Sequence, residues 1–390
     1  MINKRVNLIA NNKLYKYSSI ILLIIFFTPF VTFGLFRSDI SPFYLSFYFL
    51  FFIFYINQYK RLNKKIVYIL IIIVYLLIVE LSNPNISIET IKFCMSLLLF
   101  SSIFIYFSKK NRIITPKQIF YVSLLWFAFT LLSIIFPDII QLFLYRVSSG
   151  VGRGASGLSP EPAYWGFASS LMLLILYEVY IDYRKTFLFY FSVLIFSLSC
   201  IMSLSILGIL YLGLVTWFIF GLKKTFIVFS IILGIILFLL PSSIRIISIL
   251  NLILESGPQV LLKDISAFYR INDFLVPYYL LNGDIPYLGT FGLSLNLYDE
   301  FEPIKALSSG ITILIIRYGY LGLLVSMFIC YVYFSLINHF FLKSFTFIKR
   351  IPIYFMIILI LFVGPLAFPY FVIAMFISGR INHKNYTISS

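Results

Sequence analysis

Carboxylates are scarce in this chain: 14 Asp and Glu stand among 390 residues, against 30 Lys and Arg. Charged residues of both signs make up 11% of the sequence, less than half the roughly 25% of a soluble domain. That shortage excludes a soluble enzyme, and it excludes a disordered chain, which needs low hydrophobicity and high charge. Only three cysteines occur, Cys94, Cys200 and Cys330, each inside an apolar run. Free cysteine packs there as a small hydrophobe, so a disulfide scaffold is excluded as well. Histidine is nearly absent, with His339 and His383 alone. There is no D-x-D pattern and no Walker motif, so neither a metal-bound nucleotide sugar nor ATP is indicated.

What the chain has instead is apolar surface. Hydrophobic residues form 61% of it and aromatics 20%. A bilayer-spanning helix takes about 20 apolar residues, and the sequence holds enough for eleven. Helix is the expected state of each run, because an open backbone is not tolerated in lipid. The runs lie near 18–36, 40–57, 66–82, 91–107, 118–136, 162–181, 187–202, 204–221, 225–240, 309–337 and 351–378. The expected fold class is all-α: a polytopic integral membrane protein with about 11–12 transmembrane helices and a large outer-face loop. The first run lacks a small-residue cleavage site and reads as a retained helix. The last is interrupted by Gly364, Pro365 and Pro369, and so crosses once or folds back as two halves.

The net charge of +16 would raise the question of nucleic acid in a soluble protein. Here the basic residues instead crowd alternate short connections: Lys4, Arg5, Lys13 and Lys16; Lys60, Arg61, Lys64 and Lys65; Lys109, Lys110, Arg112 and Lys117; Arg184 and Lys185; Lys223 and Lys224; Lys343, Lys349 and Arg350. The positive-inside rule places that set, and the N-terminus, in the cytoplasm. The intervening connections face outward. Two of those are long, 137–161 and 241–308, and long connections in a compact protein are usually functional. The second holds seven of the 14 acids and mixes charge with apolar stretches, a pattern expected of short helices lying on the membrane surface. The chain therefore divides into an N-terminal helix bundle over 1–240 that includes the first outer loop, the large outer loop 241–308, and C-terminal helices over 309–390.

Two segments carry candidate chemistry. In Arg146-Val-Ser-Ser-Gly150-Val-Gly152-Arg153-Gly154-Ala-Ser-Gly157-Leu-Ser-Pro160-Glu161-Pro162, glycines allow unusual backbone angles and the close approach of a ligand. Arg146 and Arg153 project from this flexible strip, and Glu161 is fixed between two prolines at the mouth of a helix. A plainer account of Glu161 is a carboxylate favoured by a helix dipole, with Pro162 in the first turn. The second segment runs from Phe268-Tyr-Arg270-Ile-Asn-Asp273 to Pro286-Tyr-Leu-Gly289-Thr-Phe-Gly292, where an arginine leads a short amphipathic helix into a Pro/Gly turn.

These residues resemble the motifs of the O-antigen polymerase and ligase superfamily. Gly157-Leu-Ser-Pro-Glu161-Pro162, with Gly166 beyond, is similar to the motif that opens the helix after an outer-face loop. Arg146, ten residues, then Gly157 matches the spacing of the polymerases' outer loops. Arg270 and the Pro286–Gly292 turn resemble the arginine and P-x-x-G-x-x-G-like turn of the large loop. Arg317-Tyr-Gly319-Tyr-Leu-Gly322 resembles an E-x-G-x-x-G pattern, with Arg317 in place of the glutamate. The histidine that ligases carry before the helix following the large loop is absent, since that stretch reads Leu307-Ser-Ser-Gly310.

The resemblance implies a GT-C-like glycosyltransferase of the bacterial cytoplasmic membrane. It would polymerise polyprenyl-pyrophosphate-linked oligosaccharide repeat units into O-antigen or capsule, with no cofactor and no nucleic acid, in contact with membrane lipid and alongside a chain-length regulator protein. Glu161, Arg153 and Arg270 are the expected catalytic residues, and Arg146, Gly157, Arg317 and Asp273 the expected binding residues. Arginine suits the task because its guanidinium is permanently charged and grips phosphate with paired hydrogen bonds. The alternatives are a flippase or other transporter of the same lipid-linked units, and an O-antigen ligase.

Overall fold

The computed structural model describes residues 116–144, 154–179, 186–239, 310–337 and 346–363 in continuous stretches, with parts of 251–257 and 275–287 and single positions at Val31, Phe33, Val67, Ile71, Val74, Tyr75 and Ile78. The described residues divide between two compact units, one drawn from 1–53 and 104–234, the other from 54–103 and 235–368. They are overwhelmingly helical, with no strand among them beyond an isolated antiparallel bridge from Val31 to Leu144. The all-α expectation holds there.

The first unit holds α1 (Pro116–Ile135), the short α2 (Pro137–Gln141), α3 (Pro162–Val179), α4 (Phe187–Met202), α5 (Ile206–Phe220) and the start of α6 (Leu222–Leu239). Three of these begin on proline. Its fixed φ suits the first turn, and its missing N–H would have had no helical partner there. Pro137 also separates α1 from α2. α5 opens on Ser205, whose hydroxyl oxygen accepts the Gly208 N–H at 3.2 Å, and closes on Gly221 at φ +86°, a left-handed exit that glycine makes without steric cost. α3 is the central helix, packed on α4 and α5, while α4 also packs on α1.

The polarity of these helices runs opposite to that of a water-soluble bundle. On α4, Phe187, Tyr190, Leu194 and Leu198 are exposed, while Ser192 and Ser199 are buried with Phe189, Ile195, Phe196 and Cys200. α1 exposes Tyr121, Leu124, Leu125, Ile134 and Ile135 and buries Ser123 and Thr130. The buried polar side chains among the described residues are all Ser or Thr. Several turn their hydroxyls back onto a carbonyl of their own helix, as Thr216 does onto Leu212 at 2.8 Å, which satisfies them without a partner across the core.

Eleven or twelve spanning helices are expected from the sequence; the described residues hold one helix long and apolar enough to cross a membrane, Lys117–Ile135. Pro162–Tyr177, Phe187–Met202, Ile206–Phe220 and Tyr318–Phe328 are apolar but shorter. At 1.5 Å per residue the 16 residues of α4 reach about 24 Å, short of a hydrocarbon core of about 30 Å.

In the second unit α7 (Gly310–Ile337) packs on α8 (Phe347–Val363), with Phe334 and Tyr354 in contact at 5.6 Å between ring centroids. α7 is broken inside by Gly319, at φ 55° and ψ −131°. α8 starts four residues before the apolar run that marks it in the sequence, taking Lys349 and Arg350 into its first turn. It carries Pro352 internally, which leaves the carbonyl one turn earlier without its usual donor. Gly364, Pro365 and Pro369 lie outside the described residues, as do the first four apolar runs apart from the single positions named above.

Candidate functional site

The turn that opens α3 is built against α1 and the α4–α5 junction. On α1, Trp126, Thr130 and Ser133 fall at i, i+4 and i+7, one helical face. On α3, Trp165 and Ser169 are likewise one turn apart. The two indoles stack with centroids 4.0 Å apart and planes 6° from parallel. Trp126 Nε1 donates to Ser169 Oγ and Trp165 Nε1 to Thr130 Oγ1, each at 2.9 Å. Both hydroxyls pass their own protons to a carbonyl one turn back, Thr130 to Trp126 and Ser169 to Trp165. The network is buried and closed, with every hydroxyl and indole N–H in it satisfied.

Above this pair sits the turn itself. Gly157 takes φ +52°, and a Cβ added there would run into the Trp165 ring. Its N–H donates to Ser133 Oγ at 3.0 Å, and Ser133 Oγ donates to the Thr130 carbonyl at 2.8 Å. The Ala155 N–H donates to the Met202 carbonyl at 2.8 Å, and a Cβ on Gly154 would meet the Ser203 backbone. Residues Ala155 to Pro160 are all buried. From Gly154 onward the strip is therefore a packed plug and not a flexible loop; its glycines are needed for close approach to Trp165 and Ser203, not to a ligand. Gly152, Gly154 and Gly157 also fit the G-x-G-x-x-G spacing of dinucleotide loops, but that motif keeps its backbone N–H groups for phosphate. Here the N–H groups of Ala155 and Gly157 are already taken by protein.

Glu161 closes the plug. Its backbone oxygen accepts the N–H groups of Tyr164 and Trp165 at 3.1 and 3.3 Å and the Ser159 hydroxyl at 2.7 Å. Pro162 is the first residue of α3, as the sequence indicates. The Glu161 carboxylate is half-buried and makes no hydrogen bond or ion pair with any described residue. So the main chain at Glu161 is held by three donors, while its side chain has no partner among the described residues.

In the second unit, the segment ending at Tyr287 meets the break in α7. The Tyr320 N–H, freed by the non-helical turn at Gly319, donates to the Tyr287 carbonyl at 3.0 Å, and the two tyrosine rings stack at 5.3 Å and 19°. The structure thus joins Tyr287 to the Arg317–Gly322 pattern, so that two of the stretches the sequence singles out meet. Gly322 is required as well, since a Cβ there would meet the Leu314 carbonyl.

Of the expected site residues, Glu161 and Gly157 are described, and Arg317 is placed within α7 by its backbone alone. Arg146, Arg153, Arg270 and Asp273 lie outside the described residues. The residues that build the turn, Trp126, Thr130, Ser133, Ser159 and Trp165, are not singled out by motif. A signal for them exists: two of the chain's three tryptophans stand beside a hydroxyl residue four positions on, each in an apolar helix. No protein-family model, no curated protein and no solved structure matches the chain.

Proposed function

We propose that the chain is a polytopic enzyme of the bacterial cytoplasmic membrane, N-terminus inside, that joins polyprenyl-pyrophosphate-linked oligosaccharide repeat units into O-antigen or capsule on the outer face. Membrane residence is supported by the exposed apolar faces of α1 and α4 and the serines buried behind them, by the apolar composition, and by the alternation of basic connections. Helices as short as α4 and α5 are accommodated by local thinning of the bilayer or by the plug that covers their junction.

Glu161 is the observation that carries the enzymatic reading. Its carboxylate, which has no partner among the described residues, stands at the end of a packed turn formed by the residues that resemble the polymerases' motif. In the proposed step a hydroxyl of the acceptor sugar attacks the anomeric carbon of the donor. The bond from that carbon to the pyrophosphate oxygen breaks, the hydroxyl proton passes to Glu161, and polyprenyl pyrophosphate leaves. Arg146 and Arg153 share the connection that ends at Glu161 and are assigned to the pyrophosphate. Arg270, Arg317 and Asp273 are the contributors proposed from the later segments. Stabilising charge on a leaving group in this way is commonly the largest catalytic term. The donor arrives activated, so no nucleotide is consumed.

Replacing Arg153 or Arg270 by alanine in cells tests the reading through surface glycan length. Single repeat units attached, with no ladder, is the expected result. Long chains left on the carrier lipid would indicate a ligase, no units outside would indicate a flippase, and a normal ladder would overturn the site assignment.

A further inference from the structure

The Tyr287–Tyr320 pair has a property the proposed reaction does not use. Tyr287 is 75% exposed, yet it is held at two points. One ring face lies on Tyr320, and its carbonyl accepts the Tyr320 N–H, beside the break in α7 at Gly319. The preceding helical residues 275–281 anchor the approach, with Val276 and Leu280 buried and Ile285 buried behind them. The Ile285 N–H donates to the Tyr279 carbonyl at 3.4 Å. The result is an exposed aromatic ring that lies with one face on Tyr320 and whose backbone is tied to the same residue.

We propose that the open face of Tyr287 is a stacking platform for a pyranose ring of the oligosaccharide repeat unit. A pyranose presents a patch of axial C–H groups on one face, which is apolar and complementary to the negative face of an aromatic ring. Fixing the ring in advance removes the ordering cost that binding would otherwise meet. A tyrosine that merely anchors the chain in the lipid headgroups gains nothing from a fixed plane. The exposed turn beside it, Asn282 and Gly283, is polar, in keeping with an aqueous neighbourhood. The site rests on the reading above for the identity of its sugar, but its binding is measurable without catalysis.

The test uses the full-length protein in detergent micelles and the oligosaccharide repeat unit released by mild acid from the surface polysaccharide of cells that express it. Saturation-transfer NMR and calorimetric titration report binding for the wild type, Tyr287→Phe, Tyr287→Leu and Tyr287→Ala. Because Tyr287 is exposed, Tyr287→Phe is expected to keep the wild-type thermal midpoint, and Tyr287→Leu and Tyr287→Ala to lower it only slightly, through loss of the Tyr320 stack, with all four proteins folded. The platform predicts transfer to ring C–H protons of the sugar, retention of binding in Tyr287→Phe, and a loss of about three- to tenfold in affinity in Tyr287→Leu and Tyr287→Ala. Equal affinity in Tyr287→Leu, or no binding by the wild type, overturns it. If Tyr287-dependent binding is seen while the protein fails to extend lipid-linked units, the platform stands and the polymerase reading fails.

Discussion

Trp126 of α1 and Trp165 of α3 stack face to face, and each indole N–H reaches across to a hydroxyl on the other's helix, Ser169 and Thr130. The exchange is reciprocal, so neither helix can slide or rotate without breaking two hydrogen bonds and the stack together. Gly157 rests on the same Trp165 ring, which makes the pair the floor on which the Glu161 turn stands.

Truncating either indole should therefore cost more than its own volume. Trp165→Ala leaves a cavity, removes a stack and strands the Thr130 side of the network; a loss of about 3–5 kcal/mol is expected from the cavity alone. Trp126→Ala should behave alike. In the double variant the losses should fall short of additive by about 0.5–1.5 kcal/mol. Thermal unfolding in detergent measures all three, and simple additivity would mean that the two rings do not cooperate.

Gly157 separates backbone strain from packing. Gly221 also has positive φ, +86°, but nothing lies within 4 Å of a Cβ placed there. Gly221→Ala should cost about 1–3 kcal/mol, the backbone penalty alone, because φ 86° with ψ 159° is a conformation essentially confined to glycine. Gly157→Ala adds a collision with Trp165 to its own positive-φ penalty, and should lower the thermal midpoint further and abolish chain growth. Equal midpoints for the two variants would show that the turn yields without cost.

Leu194 tests the membrane reading. It is 53% exposed near the middle of α4, where a water-soluble protein would accept a charge with little change. In a spanning helix, Leu194→Asp faces lipid and costs about 2.5–3.5 kcal/mol on insertion. The variant should be degraded or lost from the membrane fraction, whereas Leu194→Phe should be recovered normally. Normal recovery of Leu194→Asp would place that face in water or against protein.

Apolar length and proline placed most of the described helices well. Phe187–Met202 matches its apolar run end to end, and Pro162 opens α3 where the sequence says it should. The misses have physical causes. α6 and α8 start earlier than their apolar runs because Lys223, Lys224, Lys349 and Arg350 join the first turns, and hydrophobicity cannot see charged residues that continue a helix. The segment Gly154–Pro160 reads as a flexible strip because glycine and serine favour both loops and tight packing; only its partners, Ser133, Trp165 and Met202, decide between them, and they are distant in sequence. Glu161 was legible through its two flanking prolines. The tyrosine pair was not, since nothing local to Tyr287 points to Tyr320.

The most direct measurement is chain growth by the purified protein given its lipid-linked repeat unit and no nucleotide, for the wild type and for Glu161→Gln, which keeps the shape of the side chain and removes its basicity. The account predicts a ladder of extended chains from the wild type and a fall of about 10²- to 10⁴-fold in rate for Glu161→Gln, with its thermal midpoint unchanged because the carboxylate has no partner among the described residues. No extension by the wild type, or equal rates for the two proteins, would contradict it.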